Sequence, residues 1–138
     1  MNFPIEVIPD NSFLFYRIHK TYIDTEVIDA KRKIKPAAFD PQPRLKSVEM
    51  SVDWDKYSTA LETRNRARNP EMNGVVSFET SKVRQTHPLK VEHKPSNNRA
   101  HSIIFDVLPN ANDPEIRIKL RKICSWVIEI NTIMPNTH

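Results

Sequence analysis

The chain has one glycine, Gly74, in 138 residues. Because average usage is about 7%, turns in this chain must depend on its eleven prolines and on Asn and Asp. Loops that hold phosphate groups need several glycines, so that backbone N–H groups can approach the ligand closely. The sequence therefore excludes a P-loop and a Rossmann fingerprint, the two most familiar nucleotide-binding motifs.

The length predicts one domain over residues 1–138, because two separate cores in a chain this short would each be marginal. Hydrophobic residues make up 38% and charged residues 28%, which is typical of a folded chain rather than a disordered one. No apolar run approaches the length of a membrane span, ~20 residues. The first ten residues lack the basic and continuous apolar regions of a secretory signal. We therefore expect a cytoplasmic protein.

Periodic hydrophobic patterns predict an α+β fold. Segments rich in β-branched and aromatic residues, or alternating with a period of two, predict strands over residues 13–19, 48–53, 74–78, 89–93 and 101–107. A helix covering 114–128 follows from Ile116, Leu120, Ile123 and Val127, which repeat with helical spacing. We expect a mixed or antiparallel sheet of four to six strands with this C-terminal amphipathic helix packed on one face.

Two short helices are predicted between the strands. Thr59 and Glu62 have capping-box spacing, which predicts a helix beginning near Ala60. Thr80 or Ser81 is a candidate N-cap for one or two further helical turns.

Basic residues occur in three places. The segment 29–46 contains K-R-K-I-K and three prolines, which predicts a long basic surface loop. With the run R-N-R-A-R and the polar face of the last helix, it would form a stripe for nucleic-acid phosphates. A solvated surface is the interpretation that we favour, because no stacking aromatics interleave the runs. The candidate binding residues are Arg17, His19, Lys31, Arg32, Lys33, Arg64, Arg66, Arg68, Tyr57 and Glu62.

Two histidines bracket the turn H-K-P-S-N-N-R-A-H. If the flanking strands form an antiparallel hairpin, His93 and His101 are expected to be near neighbours on one apolar face, with Arg99 beside them. Two imidazoles, each with an ordinary pKa of about 6.5, would serve as base and acid in a histidine-dependent ribonuclease, with Arg99 neutralising an anion. The alternative, which we favour, is that both imidazoles cap the core. No metal site is predicted, because His87, His93 and His101 lack zinc-ligand spacing.

Over residues 14–128, segments such as M-S-V-D-W-D-K-Y and N-N-R-A-H-S-I-I-F resemble a family of small uncharacterised bacterial proteins. L-F-Y-R-I followed by Y-S-T-A-L-E is also similar to RES-domain and ADP-ribosyltransferase-like NAD enzymes. The second similarity implies that Arg17 holds the NAD pyrophosphate and that Tyr57, Ser58 and Glu62 line the nicotinamide-ribose side.

Our leading expectation is a small basic bacterial accessory protein, of the kind found in toxin or defence systems. It would act through protein contacts, or nucleic-acid contacts at its basic surface, with no cofactor. An NAD-processing enzyme and a histidine-dependent ribonuclease are the alternatives. The sequence does not indicate an oligomeric state.

Overall fold

The computed structural model describes residues 3–27, 33–39, 49–106 and 115–130. They contain a six-stranded antiparallel sheet with the strand order β4-β5-β2-β1-β3-β6. The strands are β1 (Phe13–His19), β2 (Glu49–Trp54), β3 (Asn73–Glu79), β4 (Lys90–His93), β5 (His101–Phe105) and β6 (Ser125–Ile128), and the helices are α1 (Ala60–Asn65), α2 (Thr80–Arg84) and α3 (Glu115–Ile123). The predicted α+β fold is confirmed.

One face of the sheet, here called the core face, carries the hydrophobic core. Alternate strand residues such as Leu14 and Phe78 point to it, because side chains alternate between the two faces of a sheet. α3 adds Ile116 and Leu120 to the same core. This is the predicted packing of an amphipathic helix against a sheet.

The opposite face, here called the outer face, is contacted by α1. Its buried Thr63 accepts a hydrogen bond on its carbonyl from the Arg17 guanidinium of β1, at 3.0 Å. The helix begins as predicted: the Thr59 hydroxyl accepts from the Glu62 N–H at 3.1 Å, and the Glu62 carboxylate accepts from the Thr59 N–H at 2.8 Å. This capping box satisfies two backbone donors at the start of α1.

The predicted cap of α2 is wrong, although the helix itself is present. Neither Thr80 nor Ser81 is the N-cap, a position held by Glu79 without a side-chain cap bond. The backbone N–H groups of Thr80 and Ser81 instead donate to the carbonyls of Ser12 and Asp10, each at 3.0 Å. The chain before β1 thus provides acceptors that a capping side chain would otherwise supply.

The C-terminal helix is shorter than predicted. α3 ends at Ile123, and residues 125–128 form β6, which pairs with β3. The sequence S-W-V-I suits a strand as well as it suits a helical stripe, and the ladder with β3 decides the outcome. Gly74 permits this pairing, because a Cβ there would lie 2.6 Å from the Ile128 carbonyl oxygen and 2.7 Å from the Trp126 ring. The predicted start of the helix, at residue 114, lies outside the described residues.

The segment 29–46 is described only over residues 33–39, and these do not form the predicted surface loop. Ile34, Ala38 and Phe39 are buried in the core, and Ile34 forms a β-bridge with Ile23. Prolines and basic residues dominate the local sequence, but the apolar side chains between them pack against the sheet and α3. Burial of these few side chains decides the path of this part of the chain.

Candidate functional site

The register of the β4–β5 hairpin separates the two histidines. His93 pairs with Ser102, so His101 is displaced by one residue and lies on the opposite face of the sheet. His93 is buried on the core face, whereas His101 is half-buried on the outer face, where it pairs with Asp53 of β2. The prediction of neighbouring imidazoles on one apolar face is therefore wrong, because an odd offset between strands reverses the side-chain direction.

Both ring nitrogens of His93 have partners. The backbone N–H of Glu6 donates to Nδ1 at 3.0 Å, and Nε2–H donates to the Arg99 carbonyl at 2.6 Å. These partners define a neutral ring protonated on Nε2. The imidazole also packs against Trp54 and Tyr57, with ring centroids 5.1 and 6.2 Å away.

His101 makes the complementary contact across the loop. Its Nδ1–H donates to the Lys94 carbonyl at 2.7 Å, and its Nε2 lies 3.2 Å from the Ser51 hydroxyl. Each imidazole therefore bonds a carbonyl near the far end of the 93–101 connection. Inside it, the Asn98 side chain accepts from the Ala100 N–H at 3.0 Å. Side-chain bonds close this turn without a glycine.

A group of aromatic and cationic side chains lies beside this loop. We call it the cation–aromatic cluster and define it as Trp54, Lys56, Tyr57, His93 and Arg99. The Arg99 guanidinium lies 4.2 Å from the centroid of the Tyr57 ring, and Lys56 Nζ lies 5.4 Å from that of Trp54. The Trp54 and Tyr57 rings meet edge to face, with centroids 5.4 Å apart. Cations over aromatic faces are attracted by the ring quadrupole, which favours this arrangement.

The carboxylate of Glu6 is bound in the cation–aromatic cluster. One oxygen accepts from Lys56 Nζ at 2.6 Å, the other accepts from the Tyr57 hydroxyl, and Arg99 Nη2 lies 3.7 Å away. The bonds from Lys56 and Tyr57 lower the pKa of Glu6, and the Glu6 carboxylate raises the pKa of Lys56. Although paired, Lys56 and Arg99 keep 52% and 42% of their side chains exposed. The cluster is thus a partly solvated receptor for a carboxylate.

A second polar group lies on the outer face at the same end of the sheet. We call it the Asp53 cluster and define it as Asp53, Ser58, Thr63, Arg66 and Asn98. Asp53 accepts from the Thr63 hydroxyl at 2.7 Å, from Arg66 at 2.6 Å and from the Asn98 amide at 2.8 Å. Ser58 bridges Arg66 and Thr63. These bonds join β2, α1 and the 93–101 loop.

Several of the predicted binding residues serve internal contacts. Arg64 donates to the Pro70 and Asn73 carbonyls, at 2.9 and 3.1 Å, and Arg66 belongs to the Asp53 cluster. His19 caps a 3₁₀ turn through the Thr21 N–H. Arg68 is exposed and Lys33 is half-buried, whereas Lys31 and Arg32 lie outside the described residues. The second basic run therefore does not present a row of free guanidinium groups.

The residues implied by the NAD-enzyme resemblance are only partly brought together. Arg17 and Ser58 both contact Thr63, one at its carbonyl and the other at its hydroxyl. The Tyr57 hydroxyl instead bonds Glu6 in the cation–aromatic cluster. The Glu62 carboxylate is engaged in the capping box.

Sequence reasoning missed Glu6, Lys56, Asp53 and Asn98. Glu6 is a single acidic residue in an apolar segment, 50 positions from Lys56 and 87 from His93, so no local pattern indicates its partners. One sequence signal could have identified Asp53. It is a charged residue inside a predicted strand, between the apolar residues Val52 and Trp54, and a charged residue in such a position is buried only when it is paired.

No family model, curated protein or solved structure matches the chain. Within the described ranges, no three His, Cys, Asp or Glu side chains are grouped so that they could hold a metal ion. No helix in the same ranges has the length and apolar character needed to cross a membrane. What the protein does must therefore be inferred from the chemistry of its own side chains.

Proposed function

We propose that the chain is a small accessory protein that binds an acidic protein partner at the cation–aromatic cluster. The observation that carries this proposal is the Glu6 carboxylate, held by Lys56 and Tyr57 with Arg99 beside it. Groups that hold one carboxylate at a half-exposed surface are suited to hold another. Opposite charge on the partner would both steer the encounter and fix its orientation.

The surroundings of the cluster favour a protein over a small anion. Ile5 and Val7 are 77% and 88% exposed and lie on either side of Glu6 in the chain. Aromatic residues and arginine are enriched at protein interfaces, where they combine apolar area with directed polar contacts. The exposed aliphatic side chains on either side of Glu6, together with Tyr57 and Arg99 that contact Glu6, reproduce that combination.

Acid–base chemistry by the two histidines has less support. A substrate would have to displace the Glu6 N–H or the Arg99 carbonyl from His93 before either nitrogen could transfer a proton. His101 lies across the sheet from it. A nucleic-acid stripe is disfavoured for a similar reason, because Arg64 and Arg66 already donate to internal acceptors.

Affinity capture from the native host tests the proposal. We expect the parent chain to recover a stoichiometric protein partner after nuclease treatment. The variant Lys56→Gln/Arg99→Gln should recover at least about tenfold less, because it removes both cations of the receptor. Its matched control is Lys20→Gln/Lys119→Gln, which removes the same charge from exposed positions outside the cluster. Equal recovery by the two double variants, or a partner lost to nuclease, would contradict the proposal.

The NAD-processing alternative is supported by the meeting of Arg17 and Ser58 at Thr63. Incubation of the protein with NAD and candidate acceptors, followed by measurement of released nicotinamide, tests it. Release that is abolished by Arg17→Ala in a folded variant would favour the enzyme. If the NAD remains intact, the NAD-processing hypothesis is wrong.

A further inference from the structure

The N-terminal segment, defined as residues 3–9, lies over the cation–aromatic cluster without joining a strand or a helix. Phe3 packs under the Arg99 guanidinium at 5.3 Å. Glu6 provides two further contacts, one through its backbone N–H to His93 and one through its carboxylate. An aromatic ring, a peptide N–H and an anion are the contacts that an extended bound peptide would make.

The segment is held unevenly along its length. Ile8 is buried in the core, so the segment is anchored where it leads into the rest of the chain. Before that point, Ile5 and Val7 are exposed and contribute little apolar burial. Residues 3–7 are therefore held mainly by polar and cation–π contacts, which a competing peptide could replace one for one.

We propose that the N-terminal segment is an internal pseudo-ligand and that the partner contributes an extended peptide with an aromatic residue three positions before a glutamate. This inference rests on the proposed function, since it names the ligand and the regulation of the same surface. The partner peptide takes the places of Phe3 and Glu6, and the displaced segment swings out from its anchor at Ile8.

His93 makes the site selective for a peptide. Its Nδ1 accepts a hydrogen bond from a backbone N–H while its Nε2–H is committed to the Arg99 carbonyl. A phosphate or a nucleic-acid backbone carries no equivalent donor, so it would satisfy Lys56 and Arg99 but leave Nδ1 without its partner. A buried acceptor left without a partner is costly.

The tether sets the strength of the competition. A segment joined to its own site has an effective concentration in the millimolar range, so an external peptide binds only the fraction of molecules in which the site is open. Weakening the internal contacts increases that fraction and tightens external binding. Removing the receptor cations, Lys56 and Arg99, abolishes binding of the external peptide whether or not the internal contacts are weakened.

Fluorescence anisotropy with a labelled peptide F-P-I-E-V-I, the chain's own residues 3–8, tests the inference. We expect full-length Glu6→Gln to bind it at least about tenfold more tightly than the parent, because the internal carboxylate no longer competes. The matched peptide F-P-I-Q-V-I should not bind, and Glu6→Gln/Arg99→Gln should lose the gain. Phe3→Ala, which loosens the segment without changing the cluster, should give a smaller gain in the same direction.

Equal affinity of the parent, Glu6→Gln and Phe3→Ala would overturn the pseudo-ligand, and so would absence of binding to all three when their thermal unfolding is cooperative. Partner capture that still depends on Lys56 and Arg99 would then leave the proposed function standing. Capture independent of these two residues would remove both proposals. Tight binding of a phosphorylated oligonucleotide in place of the peptide would assign the surface to nucleic acid.

Discussion

Two carboxylates lie at the same end of the sheet, one on each side of it, and they are held differently. The side chain of Asp53 is 7% exposed and is bonded to Thr63, Arg66 and Asn98. That of Glu6 is 24% exposed, and its cationic partners extend into solvent. Because the cost of an unsatisfied polar group grows with burial, the first network fixes the scaffold whereas the second can exchange partners.

The largest expected effect on stability comes from removing the buried carboxylate of Asp53. Asp53→Ala would leave the Thr63 hydroxyl and the Asn98 amide without their acceptor, and we expect it to lower the free energy of unfolding by about 3 kcal/mol. Urea denaturation measures this. Asp55→Ala is the matched control, since Asp55 is exposed two positions later, and it should change stability by under about 0.5 kcal/mol. Similar losses in the two variants would show that the Asp53 cluster is not a structural centre.

Substitution of either of the two histidines is expected to have an intermediate effect on stability. His93→Gln disturbs a buried ring with partners on both nitrogens, so we expect a loss of about 2 kcal/mol. His101→Gln acts at a half-buried position, and its loss should stay below about 1 kcal/mol. Denaturation of both variants at neutral pH gives the ranking. A larger loss for His101 would mean that the outer-face contact, rather than the core-face contact, closes the 93–101 loop.

The smallest expected effect is the loss of stability at acidic pH, where the Glu6 carboxylate is protonated and its contacts weaken. The bonds from Lys56 and Tyr57 depress the pKa of Glu6 in the folded state below its ordinary value of 4.5. The stabilisation is therefore fully present above about pH 4.5 and is lost as the pH falls through the lower folded value. NMR titration of the Glu6 carboxyl should show this depressed midpoint. In Lys56→Met, which removes the largest cause, the midpoint should rise. An unchanged midpoint in that variant would show that Lys56 does not hold the carboxylate in solution.

Local features of the fold were predictable because their causes lie within a few residues. The capping box of Thr59 and Glu62 operates over three positions, and it placed the start of α1 correctly. Enrichment in β-branched and aromatic residues, or period-two alternation, identified the five strands from β1 to β5, because both signals lie within the strand itself. Helical spacing identified α3 but not its end, since the pairing that converts residues 125–128 into β6 depends on distant β3.

The site was less predictable because its contacts join distant parts of the chain. His93 and His101 at the ends of the 93–101 turn were named as candidates, as were Arg99 and Tyr57, but the role of Glu6 depends on a contact across 87 positions. The faces of His93 and His101 depend on the hairpin register. Shifting that register by one residue would reverse the face of every side chain on one strand. The register is fixed by the closed turn, whose side-chain bonds from His93, Asn98 and His101 are not evident from the local sequence pattern.

The sequence by itself excluded one class of site and determined where most of the strands and helices form, although pairing with β3 turned residues 125–128 into β6. With one glycine, no glycine-rich phosphate loop can be built, whatever the fold. Only the tertiary structure decided which charges are buried and which stay exposed. That division separates Asp53 from Glu6, and it arises because burial and pairing are set by packing between elements, not by the chemistry of a carboxylate, which is the same in both residues.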